Sequence, residues 1–172
     1  LIAAQSRIDG HPDGIEGLVM ALVDPSFRTL AGPPSLASCT RDVYASDAQW
    51  TSGVALRIAR DIASATRHLH ARGILHGDLY AHNILWNAQG GGLLGDFGAA
   101  WMTGALEPAQ AGALQRLEMR AFGCLLEELL ARCSDVPPEA MAALKDRCMQ
   151  ADVAERPLFD EALSLLQNEL SQ

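Results

Sequence analysis

No apolar run in this 172-residue chain approaches the roughly 20 residues that a membrane-spanning helix needs. No leader built from a basic start, an apolar middle and a small-residue cleavage site opens it, so no membrane partner is expected. Positive charge is scarce: 13 Lys and Arg face 21 Asp and Glu, for a net charge of −8. A nucleic-acid backbone is therefore not the expected partner, and any phosphate held here needs backbone N–H groups or a metal ion. The four cysteines, Cys39, Cys124, Cys133 and Cys148, show no C-x-x-C spacing. They read as buried free thiols, which points to a reducing, cytoplasmic setting. Repeats and low-complexity tracts are absent too. Opening on Leu1 with strand-like text, the chain reads as part of a longer protein.

Hydrophobic residues make up 49% and charged residues 20%, a balance that supports one domain with a real core. "LIAAQSRI" reads as a strand, and "GLVMALV" (Gly17 to Val23) as a buried strand after the polar turn "DGHPDGIE". Residues 24–49, broken by Pro25, Pro33 and Pro34, read as loop. Apolar residues then recur at Val54, Ile58, Ile62, Ala65 and Leu69. Those steps of three and four predict a helix, started by Thr51 or Ser52 and stopped by Gly73. Ile84-Leu85-Trp86 and Leu93-Leu94, joined by "NAQGGG", predict a hairpin. A second long helix is predicted from about Ala113 to Arg132, with Leu114, Leu117, Ala121, Phe122, Leu125 and Leu129 as its stripe. It is apolar on more than one face, the mark of a central helix. Two further helices follow, one after Pro137-Pro138 and one over about Phe159 to Leu170. The expected fold is mainly α (α+β overall), with small hairpins and two leading strands.

The chemistry concentrates in "ILHGDLYAHNILWN", Ile74 to Asn87. His76, Asp78 and Asn83 fit H-x-D-x-x-x-x-N, and Asp96-Phe97-Gly98 follows one hairpin later. A lone loop Asp is more often a turn or cap residue. Six fixed positions, however, arise by chance on the order of 10⁻⁸ per start position. An acid on a rigid loop can accept a proton from a hydroxyl nucleophile, and one carboxylate with one amide oxygen suits Mg²⁺ against phosphates.

These motifs resemble the protein-kinase superfamily, specifically its C-terminal lobe. The resemblance implies that residues 25–172 form that lobe and residues 1–24 the last strands and hinge of a truncated N-terminal lobe. It implies Asp78 as the catalytic base, Asn83 and Asp96 as Mg²⁺ ligands, and ATP as the phosphoryl donor. Met20 would stand at the gatekeeper position, Ala21 and Val23 would face the adenine edge, and Leu85 would form the floor beneath it. His76 is read as bracing the loop. His11, His68 and His70 are read as helix-face or loop histidines. "RLEMRAFGCLLEELL" is similar to the lobe's central helix, with Glu118 where the family usually carries Asp. "ALE" and "ERP" resemble the segments whose glutamate and arginine pair, so Glu107 and Arg156 are expected to form an ion pair. The text is most similar to bacterial kinase domains joined to leucine-rich repeats, which would place such a region upstream.

The sequence also departs from the family. It has no glycine-rich phosphate loop and no strand lysine with its helix glutamate, so the chain alone is expected to transfer no phosphate. Gly77 stands where most members have Arg, and Tyr80 replaces the usual lysine; the cation position of tyrosine kinases holds His82. Losing one preorganised charge contact costs roughly 3 kcal/mol. The segment from Asp96 to Glu107 is short. Thr103 is the single hydroxyl in residues 99–112, and with Gly77 in place of Arg no dependence on its phosphorylation is expected. The leading expectation is a Ser/Thr-type protein kinase acting on a protein substrate. Two alternatives stay open: a small-molecule kinase of the aminoglycoside or choline type, and a pseudokinase that binds without turnover.

Overall fold

Thr51 gives the first long helix a defined start. The computed structural model describes residues 1–2, 4–38 and 41–171, and in it α1 spans Ser52–His70. The Thr51 backbone is extended, and its side chain accepts from the Val54 N–H at 3.4 Å. Val54, Ile58, Ile62, Ala65 and Leu69 all turn inward, as their spacing predicts. Gly73, at φ 66°, lets the chain reverse just past the Ala71 cap.

The strands are short and sit at the edges. β1 (Ala4–Ile8) and β2 (Gly17–Met20) form an antiparallel ribbon. β3 (Arg28–Thr29), β5 (Ile84–Trp86) and β6 (Gly92–Leu94) form a three-stranded sheet in that order. β4 (Ile74–Leu75) pairs with β7 (Trp101–Met102). Three more helices close the chain: α2 (Pro108–Leu130), α3 (Glu139–Cys148) and α4 (Phe159–Leu170). Among the described residues the fold is α+β, four α-helices with small sheets. No helix among the described residues is long and apolar enough to cross a membrane.

The core lies where α1 packs on α4 and α2 packs on α3. Ile58, Ile62, Met119, Phe122, Leu126, Leu129 and Met141 are completely buried in it. Each such side chain contributes roughly 2 kcal/mol of burial. Trp50 ties the loop before α1 to the end of α2, its indole N–H donating to the Leu129 carbonyl at 2.9 Å. Burial pushes the Cys148 thiol up to about 12, so it stays a thiol; Cys124 and Cys133 are also free but only half buried, short of the burial expected of them, and Cys39 lies outside the described residues.

Three expectations are corrected. The strand at Gly17 ends at Met20 and is not buried: Leu18 is 63% and Met20 41% exposed, and Leu22 beyond it is 98% exposed. A ribbon that pairs only with itself offers its apolar side chains nothing to pack on, whatever their sequence pattern. Helix α2 begins at Pro108, ahead of the predicted Ala113. Its first turn carries little apolar periodicity, but proline suits that turn because its missing N–H has no partner there. The Gln110 side chain also accepts from the Glu107 N–H at 3.2 Å. Finally, Leu117 is half exposed and Leu114 half buried; the buried stripe runs through Glu118, Met119, Phe122, Leu125, Leu126 and Leu129.

Phe122 meets Phe159 edge-on with ring centroids 5.1 Å apart. Phe122→Ala is expected to destabilise the fold by about 3–5 kcal/mol. Urea unfolding should show a lower midpoint with an unchanged slope.

Candidate active site

The chemistry-bearing loop is hung from the central helix by one carboxylate. Helix α2 carries Glu118 inward, and its Oε1 accepts from the Gly77 N–H at 2.7 Å. Its Oε2 accepts from the His76 N–H at 3.3 Å and from His70 Nε2 at 2.6 Å. The His70 and Glu118 side chains are 7% and 6% exposed. Burial works to raise the Glu118 carboxyl, but the His70 hydrogen bond and the Gly77 and His76 amides more than offset it and hold it below its usual value. His76 is completely buried. Its Nε2 bonds the Gly95 carbonyl at 2.8 Å, and its ring stands against Phe97 with centroids 5.1 Å apart. The bracing role read for His76 therefore holds, and it links the loop to the residue before Asp96.

Gly77 has a reason of its own. Its φ is 79°, and a Cβ there would overlap the Ala99 carbonyl. The segment after Asp96 packs into the space that any side chain at position 77 would need. An arginine is excluded by sterics as well as by conformation.

A 3₁₀ turn over Ala81–Asn83 completes the loop. The Asn83 side-chain amide N–H donates to the Asp78 carbonyl and to Asp78 Oδ2, both at 2.9 Å. This holds the half-buried Asp78 carboxylate in one orientation, with the amide N–H end of Asn83 committed to it. The Gly95 N–H donates to the Asn83 carbonyl at 3.0 Å, which brings Asp96 beside Asn83. Asp96 is exposed and adopts φ 51°, the sole non-glycine residue in that region among those described. Its own Oδ1 accepts from the Gly98 N–H at 3.1 Å. Left-handed backbone at an exposed acid is strain of the kind found at working sites. Among the described residues no cluster of three or more His, Cys, Asp or Glu could hold a metal. One carboxylate and one amide oxygen nevertheless fit Mg²⁺, which keeps waters and takes phosphate oxygens for its remaining positions.

Of the sequence-predicted residues, Asp78 and Asn83 are bonded to each other, and Asp96 follows Gly95, whose N–H holds the Asn83 carbonyl. Leu85 lies half buried in the middle strand of its sheet, paired with Thr29 and Leu93. Met20 is exposed at the end of β2, with Ala21 and Val23 half buried beyond it. The Glu107–Arg156 ion pair is not formed. Arg156 is 5% exposed, and its guanidinium donates to the carbonyls of Gln150, Arg116 and Ala151 at 2.8, 3.3 and 3.4 Å. Glu107 instead sits exposed at the start of α2. His70, read as a helix-face or loop histidine, is a buried partner of Glu118. Sequence reasoning also missed Asp42. Its carboxylate bonds the Ala81 and His82 amides and the His82 ring, and nothing in the text around it marks it out.

A family model described as "Lipopolysaccharide kinase (Kdo/WaaP) family" matches residues 28–121, a span that contains the loop, the hairpin, Asp96 and the first half of α2. The chain belongs to that family and, with it, to the protein-kinase-like superfamily. It is also 35% identical over 103 residues to the rat dual specificity testis-specific protein kinase 1, covering 46% of this chain and 16% of that protein. A probable serine/threonine-protein kinase of Dictyostelium discoideum is 53% identical over 47 residues, 27% of this chain and 8% of its own length. A serine/threonine-protein kinase-like protein of Arabidopsis thaliana is 39% identical over 66 residues, 37% of this chain and 19% of its own. The chain thus spans less than a fifth of the length of each of these relatives.

Because the Glu118 carboxyl is held below its ordinary value, its contribution to stability is complete above the unfolded glutamate value of about 4.3. That contribution drains away as pH falls through the lower folded value. Glu118→Gln is expected to lower stability at pH 7 by about 1–3 kcal/mol. It should also flatten the loss of stability below about pH 5. Denaturation midpoints measured from pH 7 down to pH 3 check both.

Proposed function

We propose that this chain carries the catalytic residues of an ATP- and Mg²⁺-dependent kinase that phosphorylates a protein hydroxyl of the serine or threonine type. The observation that carries the reading is the Asn83 amide held on Asp78 Oδ2 at 2.9 Å with Asp96 one hydrogen-bonded step away. In this reading Asp78 faces the acceptor hydroxyl and takes its proton. Asn83 Oδ1 and the Asp96 carboxylate would hold Mg²⁺. The ion's chemistry, when bound, is to neutralise charge on the phosphate oxygens. Glu118 and His76 keep the loop from moving away from its hairpin. Residues 1–24 act as the last strands and hinge of a smaller lobe and residues 25–172 as the larger one. Met20, Ala21, Val23 and Leu85 line the adenine. A scaffold without turnover has little use for all three of Asp78, Asn83 and Asp96, so the pseudokinase reading is set aside.

The protein acceptor is supported by the names of the curated relatives. A second reading draws on the family description, which names lipopolysaccharide as what is phosphorylated. An open concavity of about 250 Å³ beside Tyr80, lined by Leu75, Leu79, Leu114, Leu117 and Ala121, would suit the apolar portion of either acceptor.

The full-length protein, incubated with radiolabelled ATP and either a generic protein substrate or purified lipopolysaccharide, distinguishes the two. Label in protein supports the leading reading; label in lipopolysaccharide alone supports the second. Asp96→Asn is expected to abolish Mg²⁺-dependent transfer, and Asp78→Asn to lower kcat by about 10²-fold or more with little change in nucleotide affinity. A kcat for Asp78→Asn that stays close to wild type would remove Asp78 from the reaction.

Regulation by a phosphate on the segment after Asp96 is not expected. Thr103 is 5% exposed and its N–H is bonded to the Gly73 carbonyl at 2.7 Å. Phosphatase treatment and Thr103→Ala should each leave activity within about threefold of the untreated protein. A large loss in both would mean that Thr103 becomes accessible and is read by a cation elsewhere.

A further inference from the structure

Asp42 lies in the irregular segment before α1, outside every motif, and its side chain is 1% exposed. A carboxylate so buried needs donors to offset its lost hydration. It has three, and all come from one turn. Its Oδ2 accepts from the Ala81 N–H at 3.1 Å, and its Oδ1 from the His82 N–H at 3.2 Å and from His82 Nδ1 at 2.6 Å. The segment holding Asp42 is itself fixed by the reciprocal Gly32 and Val43 backbone bonds of 2.8 and 2.9 Å.

The carboxylate can only accept, so the 2.6 Å contact assigns a proton to His82 Nδ1. That orients the ring: its Nε2 faces Asp78 Oδ2 at 3.9 Å, and Tyr80 stacks on it with centroids 5.7 Å apart at 25°. The next residue is Asn83, whose amide holds the same Asp78 oxygen. A three-residue 3₁₀ turn without a side-chain cap has little capacity to fix itself. With Ala81 completely buried, removing Asp42 would leave that amide unsatisfied.

We propose that Asp42 is a positioning residue for the reaction. It clamps the Ala81–Asn83 turn, and through that turn His82 and Asn83 keep the Asp78 carboxylate and Asn83 Oδ1 in working orientation. The proposal rests on the kinase reading for its catalytic consequence, but its structural half stands alone.

The test uses the full-length protein with Asp42→Asn, which keeps the size of the side chain but loses acceptor capacity, and with His82→Ala. The His82 side chain is 19% exposed, so this second variant stays informative where the first fails to fold. Asp42→Asn should speed hydrogen exchange at the Ala81 and His82 amides by about tenfold or more. It should lower kcat by about 10–100-fold, raise the Mg²⁺ concentration needed for half-maximal activity, and weaken Mg²⁺-dependent ADP binding in calorimetry. The KM for ATP at saturating Mg²⁺ should stay within about twofold. His82→Ala should give a smaller loss in kcat, and the double variant a loss short of the product of the two. Wild-type exchange and kcat in both single variants would overturn the proposal. So would a lowered melting temperature with kcat and Mg²⁺ requirement unchanged, which marks a purely structural role. An Asp96→Asn control separates the two readings. If wild type and Asp96→Asn alike transfer no phosphate, the kinase reading fails while the exchange result still decides the clamp. If Asp96→Asn alone is inactive and the Asp42 and His82 variants are not impaired, the clamp alone fails.

Discussion

The Glu118 carboxylate, buried and charged at the centre of the fold, is the contact on which the rest of the structure depends. A charged group 6% exposed is costly unless each lone pair finds a donor. Glu118 finds them in two backbone amides of the loop and in His70 at the end of α1. Helix α1, helix α2 and the loop are thereby held in one arrangement, because moving any of them leaves a buried charge without a partner. The apolar stripe of α2 supplies the depth that makes this contact so demanding. It also explains why an acid lies on a stripe otherwise made of Met119, Phe122, Leu125, Leu126 and Leu129.

The loop is held from a second side as well. Asp42 fixes the turn that ends it, and His76 fixes its start against Gly95. Between those grips Asp78 keeps its orientation through Asn83. Holding reacting groups in place before a substrate arrives is where much catalytic power originates. Little is left for the loop to reorganise. Gly77 belongs to the same economy of space: the residues after Asp96 run close over it, so a short segment can close against the loop without a side chain between them.

Much of this was legible in the sequence, and the remainder has a common reason for being hidden. The periodicity of Val54 through Leu69 marked α1, and the runs Ile84-Leu85-Trp86 and Leu93-Leu94 marked the hairpin. The spacing of His76, Asp78, Asn83 and Asp96 marked the loop. Those signals are local, written in spacing. The apolar run Gly17 to Val23 predicts burial, yet an apolar run never says whether another element covers it. Resemblance pairs Arg156 with Glu107, but its fork is filled by backbone carbonyls, which leave no trace in side-chain identity. Asp42 and His70 act across 39 and 48 positions of chain, and a single acid in a loop or a single histidine on a helix looks the same with or without such a partner.

In the proposed function, Asn83 and Asp96, kept in place by the clamped loop, would form the metal site of a kinase. A crystal structure of the full-length protein with Mg²⁺ and a non-hydrolysable ATP analogue tests it most directly. The account predicts an ion about 2.0–2.1 Å from Asn83 Oδ1 and from an Asp96 carboxylate oxygen, with the Asp78 carboxylate still bonded to the Asn83 amide and turned toward the terminal phosphate. An ion held elsewhere, or a nucleotide bound with Asn83 and Asp96 both outside its coordination shell, would contradict it.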